Sequence, residues 1–291
     1  MTFSTGWDGD ALDLDTYLGR LGFDGPVPPT LAALRALHRA HVTSIPFENL
    51  EIMLSRDVPL DLASLQDKMV RGRRGGYCFE HNRLFAAALE RLGFRFTALI
   101  GRVTMGAENK IRPATHALLS VQPADDDRAW LCDVGFGAGP LEPLEFTDGA
   151  SATQGEGWRY RLERLGPVDE RVPHVALWTL WQAPAPGTAE DEWVDRHNFT
   201  DSPAFPIDYE VANHYVSTHL RSPFTSRPFA QRYSADAHHV LDGLTLTTFR
   251  PDGLADKREL SPGEVADVLA DVFGIVLDEA DAARLTASLS G

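Results

Sequence analysis

The chain has 291 residues, 43% of them hydrophobic and 24% charged, and its formal net charge is −15. That length and balance suit one large domain or two to three small ones with a real core, and they argue against a disordered chain. The acidic balance argues against a nucleic-acid binder, because phosphate binding needs a basic surface, yet it leaves room for a small basic pocket for an anionic cosubstrate.

The first fifteen residues hold no Lys or Arg and no apolar run, so they do not read as a secretory signal. No stretch approaches the ~20 apolar residues of a membrane span. With only two cysteines, Cys78 and Cys132, a disulfide scaffold is excluded and a reducing cytoplasm is expected. The Asn198-Phe199-Thr200 sequon then reads as chance.

Taken in chain order, the first ninety or so residues predict helices. Residues 12–21 are amphipathic and close at Gly22. Thr30 caps a helix to about Val42, with Leu31, Leu34 and Leu37 at spacing three. Pro46 breaks that pattern, and Asp61 caps a further helix to about Val70. The turn Arg74-Gly75-Gly76 launches another helix, with Phe85, Leu89 and Leu92 on one face and Gly93 as its stop.

From Phe94 the pattern changes to strands, at 96–103, 114–121, 130–134, 158–165 and 175–182. Residues 183–191, rich in Pro and Ala, read as a loop or linker. A hairpin follows at 244–249 and 254–260 around Pro251-Asp252-Gly253. Ser261 and Glu264 form a capping box with Pro262 at the first helical position, ahead of a helix at 265–273; Asp278 caps a terminal one. Helices and strands are segregated rather than alternating, which favours an α+β fold over a doubly wound sheet.

The chemistry concentrates in Arg73-Arg74-Gly75-Gly76-Tyr77-Cys78-Phe79-Glu80-His81-Asn82. Cys78 falls in the first turn of a helix, where free N–H groups and the helix dipole favour thiolate and can steady an oxyanion. A nucleophilic cysteine needs a base and a group to orient it. His116 lies in one predicted strand, Asp133 in the next, and the turn at 123–127 sits midway between them. An antiparallel hairpin would set the two nearly opposite, their Cβ atoms about 4.5–5.5 Å apart, close enough to share a hydrogen bond.

Blander readings compete. A lone cysteine on an apolar helix is more often packing, and a strand His beside an Asp is often a structural pair. The glycines before Cys78 and the matched His–Asp spacing tilt the joint reading to catalysis. Cys78, His81, His116 and Cys132 include zinc-type ligands, but no Cys-x-x-Cys spacing occurs and Cys132 should face away from Asp133. No metal is therefore expected, and Cys132 reads as core. His238 and His239 are expected at the surface or in a loop, and Trp178 and Trp181 in barrel or strand packing. Gly135-Phe136-Gly137 lacks the third glycine of a dinucleotide loop.

These residues carry a resemblance. Ser44-Ile45-Pro46-Phe47-Glu48-Asn49-Leu50, Arg74 to Asn82, Thr115-His116 and Asp133-Val134-Gly135-Phe136-Gly137 resemble the arylamine N-acetyltransferase family, in family order. Asp208 to Asn213 and Ser222-Pro223-Phe224 match more weakly, and the final sixty residues only in general texture. The resemblance implies a cysteine-protease-like core in three regions: a helical bundle at 1–93 carrying Cys78, a β-barrel-like domain at 94–205 carrying His116 and Asp133, and an α/β lid at 206–291. It implies a Cys78-His116-Asp133 triad and ping-pong transfer of acetyl from acetyl-CoA to aromatic amines or hydrazines. No metal, nucleic-acid or membrane partner is implied. Phe47 and Phe136 would be aromatic walls, Gly135 and Gly137 would let the chain pass close to the cosubstrate, and Glu48 with Arg74 would form a buried pair bracing the nucleophile loop. The segment at 102–112, with Met105, Gly106 and Lys110, would border the pocket. Lys257 and Arg258 are candidates for CoA phosphates by charge alone. An amide synthase of the same family, a papain-like thiol hydrolase and a non-catalytic binding relative are the alternatives.

Overall fold

The computed structural model describes residues 6–105, 111–167, 171, 175–183, 193–253 and 255–290. Its first third is helical, as the periodicity predicts. Helix α1 (Leu14–Leu21) is capped by Asp13 and ends at Gly22 in the left-handed region, φ 82°. Helix α2 (Leu31–Ser44) starts at Thr30, whose side chain accepts the Ala33 N–H. Strand β1 (Phe47–Glu48) and helix α3 (Leu50–Met53) follow. Helix α4 (Leu62–Leu65) is capped by Asp61 but does not continue as an α-helix to Val70; it widens into a π-helix over Gln66–Arg71. Helix α5 (Cys78–Leu92) is buried from Cys78 through Leu89 and stops at Gly93. It is the central helix of the main core, so Cys78 starts from a rigid element.

Eight antiparallel strands wrap beside it. They are β2 (Arg95–Val103), β3 (His116–Gln122), β4 (Trp130–Cys132), β5 (Leu144–Glu145), β6 (Ser151–Gln154), β7 (Trp158–Pro167), β8 (Ala176–Gln182) and β9 (Val194–Thr200). The order β5-β4-β3-β2-β9-β8-β7-β6 brings the edge strands β5 and β6 against each other, which nearly closes a barrel. Trp178 packs on Phe146 with ring centroids 4.7 Å apart, and Arg161 lies over Trp181 at 5.8 Å.

Helix α6 (Pro206–Thr218) leads to a second sheet, β1-β10-β11-β12-β13, with β10 (Phe229–Tyr233), β11 (His238–Asp242), β12 (Thr245–Phe249) and β13 (Ala255–Glu259). Helices α7 (Val265–Asp271) and α8 (Glu279–Leu289) back it through Leu241, Leu269, Phe273 and Leu285. Strand β1 pairs with β10, Phe47 opposite Gln231, and Phe47 also bridges to Gly76. The loop that precedes Cys78 is thereby stitched to the C-terminal sheet. Apart from β1 and α6, helices and strands occupy separate stretches of chain, and the fold is α+β.

The remaining residues singled out in the sequence fall as follows. His238 and His239 lie in β11, not in a loop: His238 is buried and meets Gln231 Oε1 at 2.7 Å, and His239 meets Thr248 Oγ1 at 2.9 Å. Lys257 and Arg258 sit on the exposed edge strand β13, paired with Glu259 and Glu264. Most of the loop expected at 183–191, and Gly106 and Lys110 of the segment at 102–112, lie outside the described residues. Among the described residues no helix is long and apolar enough to cross a membrane.

Candidate active site

Cys78 is the first residue of α5, and its side of the site is set by tight backbone packing. A Cβ at Gly75 would lie 2.0 Å from the Pro46 carbonyl oxygen, so only glycine fits. Glu48 is fully buried and accepts from Arg74 Nε at 2.9 Å. Burial opposes its ionisation, but Lys68 and Arg74 outweigh burial and hold the carboxyl below its ordinary range. Glu80 accepts the Tyr77 N–H at 3.0 Å and Lys68 Nζ at 2.7 Å. Cys78 is 3% exposed, with its sulfur 3.5 Å from the Thr115 carbonyl oxygen.

His116 opens β3 and Asp133 follows the end of β4. The His116 Nε2–H donates to Asp133 Oδ2 at 2.7 Å. They are not directly opposite, as the turn position suggested. The ladder pairs Leu119 with Cys132, so one further step sets Asp133 across from Leu118. The offset is two residues, which keeps both side chains on one face and lets them meet diagonally. Burial alone would lower the His116 pKa, but the Asp133 carboxylate and a hydrogen bond with Cys78 push it up to about 10. Burial would raise that of Asp133, and His116 with His197 reverses the effect, holding the carboxyl well below its ordinary range.

Three further residues complete the geometry, and no role was read for them from the sequence. Asn82 donates to Cys78 O at 3.0 Å and to Ala117 O at 2.8 Å, which seats the helix start on β3. His38 accepts the backbone N–H of Asp133 at 3.1 Å. His197, on β9 and fully buried, brings Nε2 to 3.0 Å from Asp133 Oδ2, with its ring 4.7 Å from that of His116. Its available signal was strand alternation, which puts His197 and Phe199 on the buried face of β9.

The Phe136 ring stands edge-on to His116 at 5.1 Å and 5.3 Å from His197. Phe47 is buried, stacked on His81 and flanked by Phe224 and Phe229. A Cβ at Gly135 would lie 2.6 Å from Asn82 Nδ2 and 2.7 Å from Cys78 Cα; one at Gly137, whose φ is +85°, would lie 2.3 Å from Gln231 Nε2. Gly135 is thus required by packing against the Cys78 backbone, and Gly137 by its left-handed backbone conformation. A cavity of about 600 Å³ opens beside Thr115, lined also by Ile100, Arg102, Val211 and Tyr215. The four zinc-type ligands weighed from the sequence do not converge: His81 bonds His41 and the Pro46 carbonyl, and Cys132 is sealed in the core.

A cysteine at the start of a buried helix, with a histidine and an aspartate delivered by neighbouring strands, is the apparatus of a thiol-dependent acyltransferase. The comparisons name the kind. An N-acetyltransferase family model matches residues 30–282. The arylamine N-acetyltransferase of Mycolicibacterium smegmatis is 37% identical over 272 residues, covering 92% of this chain and 94% of that one. The crystal structure of Nocardia farcinica arylamine N-acetyltransferase superposes with a TM-score of 0.91 at 55% identity, covering 99% of both chains. The Mycobacterium marinum arylamine N-acetyltransferase in complex with CoA gives 0.83 at 34% identity, covering 95% of this chain and 98% of that one. The chain belongs to the arylamine N-acetyltransferase family.

Proposed function

We propose that this enzyme transfers acetyl from acetyl-CoA to arylamines and arylhydrazines by a ping-pong route through a Cys78 thioester. The observation that carries the reading is the buried His116 ring, held by Asp133 on Nε2 at 2.7 Å, with the Cys78 sulfur against the carbonyl of its neighbour Thr115 at 3.5 Å. The Cys78 thiolate attacks the acetyl carbonyl carbon, and a new C–S bond forms. The bond to the CoA sulfur breaks, and that sulfur takes the proton of the His116 imidazolium. The amine nitrogen then attacks the thioester and gives its proton to neutral His116. Cys78 leaves as thiolate, and the starting charge pair is restored.

The cavity beside Thr115 is the approach for the cosubstrate arm. Phe136 and Phe47 wall the acyl and acceptor side, and Gly135 and Gly137 keep the loop low beside the sulfur. The enzyme acts in the cytoplasm, a reading supported by its two free, buried cysteines.

Intact mass after brief exposure to acetyl-CoA, without amine, tests the reading. One acetyl adduct, absent in Cys78→Ala and discharged by an arylamine, is expected. CoA release with no adduct would favour hydrolysis. Neither adduct nor release would shift weight to the amide synthase or to a binding role.

A further inference from the structure

The triad corner holds donors that acyl transfer does not use. His197 is fully buried, yet neither ring nitrogen makes a well-aligned hydrogen bond. Buried polar atoms without partners are rare in folded proteins and ask for an explanation. Its Nε2 lies 3.0 Å from Asp133 Oδ2, the same oxygen that His116 Nε2 meets at 2.7 Å. The ligand atoms of His116, Asp133 and His197 all lie within 4.8 Å of one another.

We propose that His116, Asp133 and His197 form a binding site for a zinc-class divalent cation, which blocks acetyl transfer by occupying His116. Two imidazoles and a carboxylate are a donor set for Zn²⁺ or Co²⁺, and three protein ligands leave a fourth position open. Around a tetrahedral zinc, neighbouring ligand atoms are roughly 3.3 Å apart, from metal–ligand distances of about 2.0–2.1 Å. The two contacts on Asp133, at 2.7 and 3.0 Å, need to open slightly, and the two imidazole nitrogens, within 4.8 Å of each other, need to draw together by a side-chain rotation. The protons balance. His116 releases its Nε2 proton to solvent and keeps the one on Nδ1, and His197 carries its proton on Nδ1, which no other group occupies. The fourth position falls to water. The ion is an inhibitor and not a cofactor. Only the inhibition rests on His116 as the acyl-transfer base; binding is read without activity.

Calorimetric titration of metal-free Cys78→Ala with Zn²⁺ is the test. One ion per chain is expected, with affinity reduced at least about 100-fold when His197→Phe is added, against near-ultraviolet circular dichroism as the check on folding. Should that double variant misfold, Co²⁺ added to Cys78→Ala alone decides, since intense d–d bands mark a tetrahedral nitrogen–oxygen site and weak octahedral bands do not. Wild-type acetyl transfer should be lost on adding Zn²⁺ and restored by EDTA. Binding that vanishes in Cys78→Ala would show an ordinary thiol-held metal and overturn the proposal. Affinity unchanged by His197→Phe, or octahedral cobalt, would overturn it too.

Discussion

His38 holds Asp133 by its backbone. The Asp133 N–H donates to His38 Nε2 at 3.1 Å, and the opposite ring nitrogen donates to the Leu141 carbonyl at 3.1 Å. One ring on α2 therefore pins both ends of the loop that carries Asp133, Gly135, Phe136 and Gly137. The ring works as a neutral donor–acceptor, since burial pushes its pKa down to about 4 against the pull of Leu141 O and Asp133. His38→Phe leaves a buried N–H and a buried carbonyl without partners, at about 1–3 kcal/mol each. A clear fall in Tm and a lower kcat are expected. An unchanged Tm in thermal unfolding would refute the pinning role.

The Glu48–Arg74 pair gives a second test. Glu48 has no exposed surface, and the Arg74 side chain is 13% exposed. Arg74→Met leaves a buried carboxylate without its ion-pair partner, which costs about 3–5 kcal/mol where a buried pair is broken from one side. Lys68 also acts on Glu48, so the loss should fall near the lower end. Urea unfolding checks it. The double variant Glu48→Gln/Arg74→Met should recover part of the loss, because it removes the stranded charge.

Gly135→Ala separates stability from geometry. Its new Cβ would press on Cys78 Cα at 2.7 Å and Asn82 Nδ2 at 2.6 Å, and the helix start must give way. A shift of about 1 Å at a nucleophile costs roughly 100-fold in rate. We expect kcat to fall by that order while the protein stays folded. Gly263→Ala is the control, since nothing lies within 4 Å of the added carbon. Equal kinetics in the two variants would remove the packing argument.

How much of this was legible follows from the range of the interactions. Local signals were written in the chain: Thr30, Asp61 and Asp278 cap where expected, and Gly22 and Gly93 terminate. The His116–Asp133 pairing was legible because a single turn joins the strands; its two-residue offset was not, since the ladder ends at Cys132. His197 reaches Asp133 from a strand more than sixty residues later, with β2 between β9 and β3, and no local pattern encodes that path. Helix α6 escaped notice for a different reason. Its buried residues are Tyr209, Asn213 and Val216, while Ile207 and Val211 face solvent, so the apolar pattern points the wrong way.

Cys132 should be inert. It is fully buried, and burial pushes its thiol pKa well above the ordinary value. Cys132→Ser puts a hydroxyl in an apolar pocket at about 1–3 kcal/mol, so Tm should fall while kcat holds. Iodoacetamide should modify the native protein at Cys78 and spare Cys132, with peptide mapping as the readout. Labelling at Cys132 in the folded enzyme would contradict its burial.

The protonation of His116 links the site to stability. Its pKa is raised from 6.5 to about 10 in the folded chain, where burial is outweighed by Asp133 and Cys78. The folded state therefore binds the proton more tightly than the unfolded one. This contribution is present in full below pH 6.5, declines above it, and is gone once the pH passes about 10. The Tm advantage of the wild type over His116→Gln should accordingly shrink as the pH rises through that window. The comparison cancels the titration of shared groups that do not interact with His116. An advantage that stays flat or grows would mean that His116 is neutral at rest, and the thiolate–imidazolium starting state of the acyl transfer would have to be abandoned.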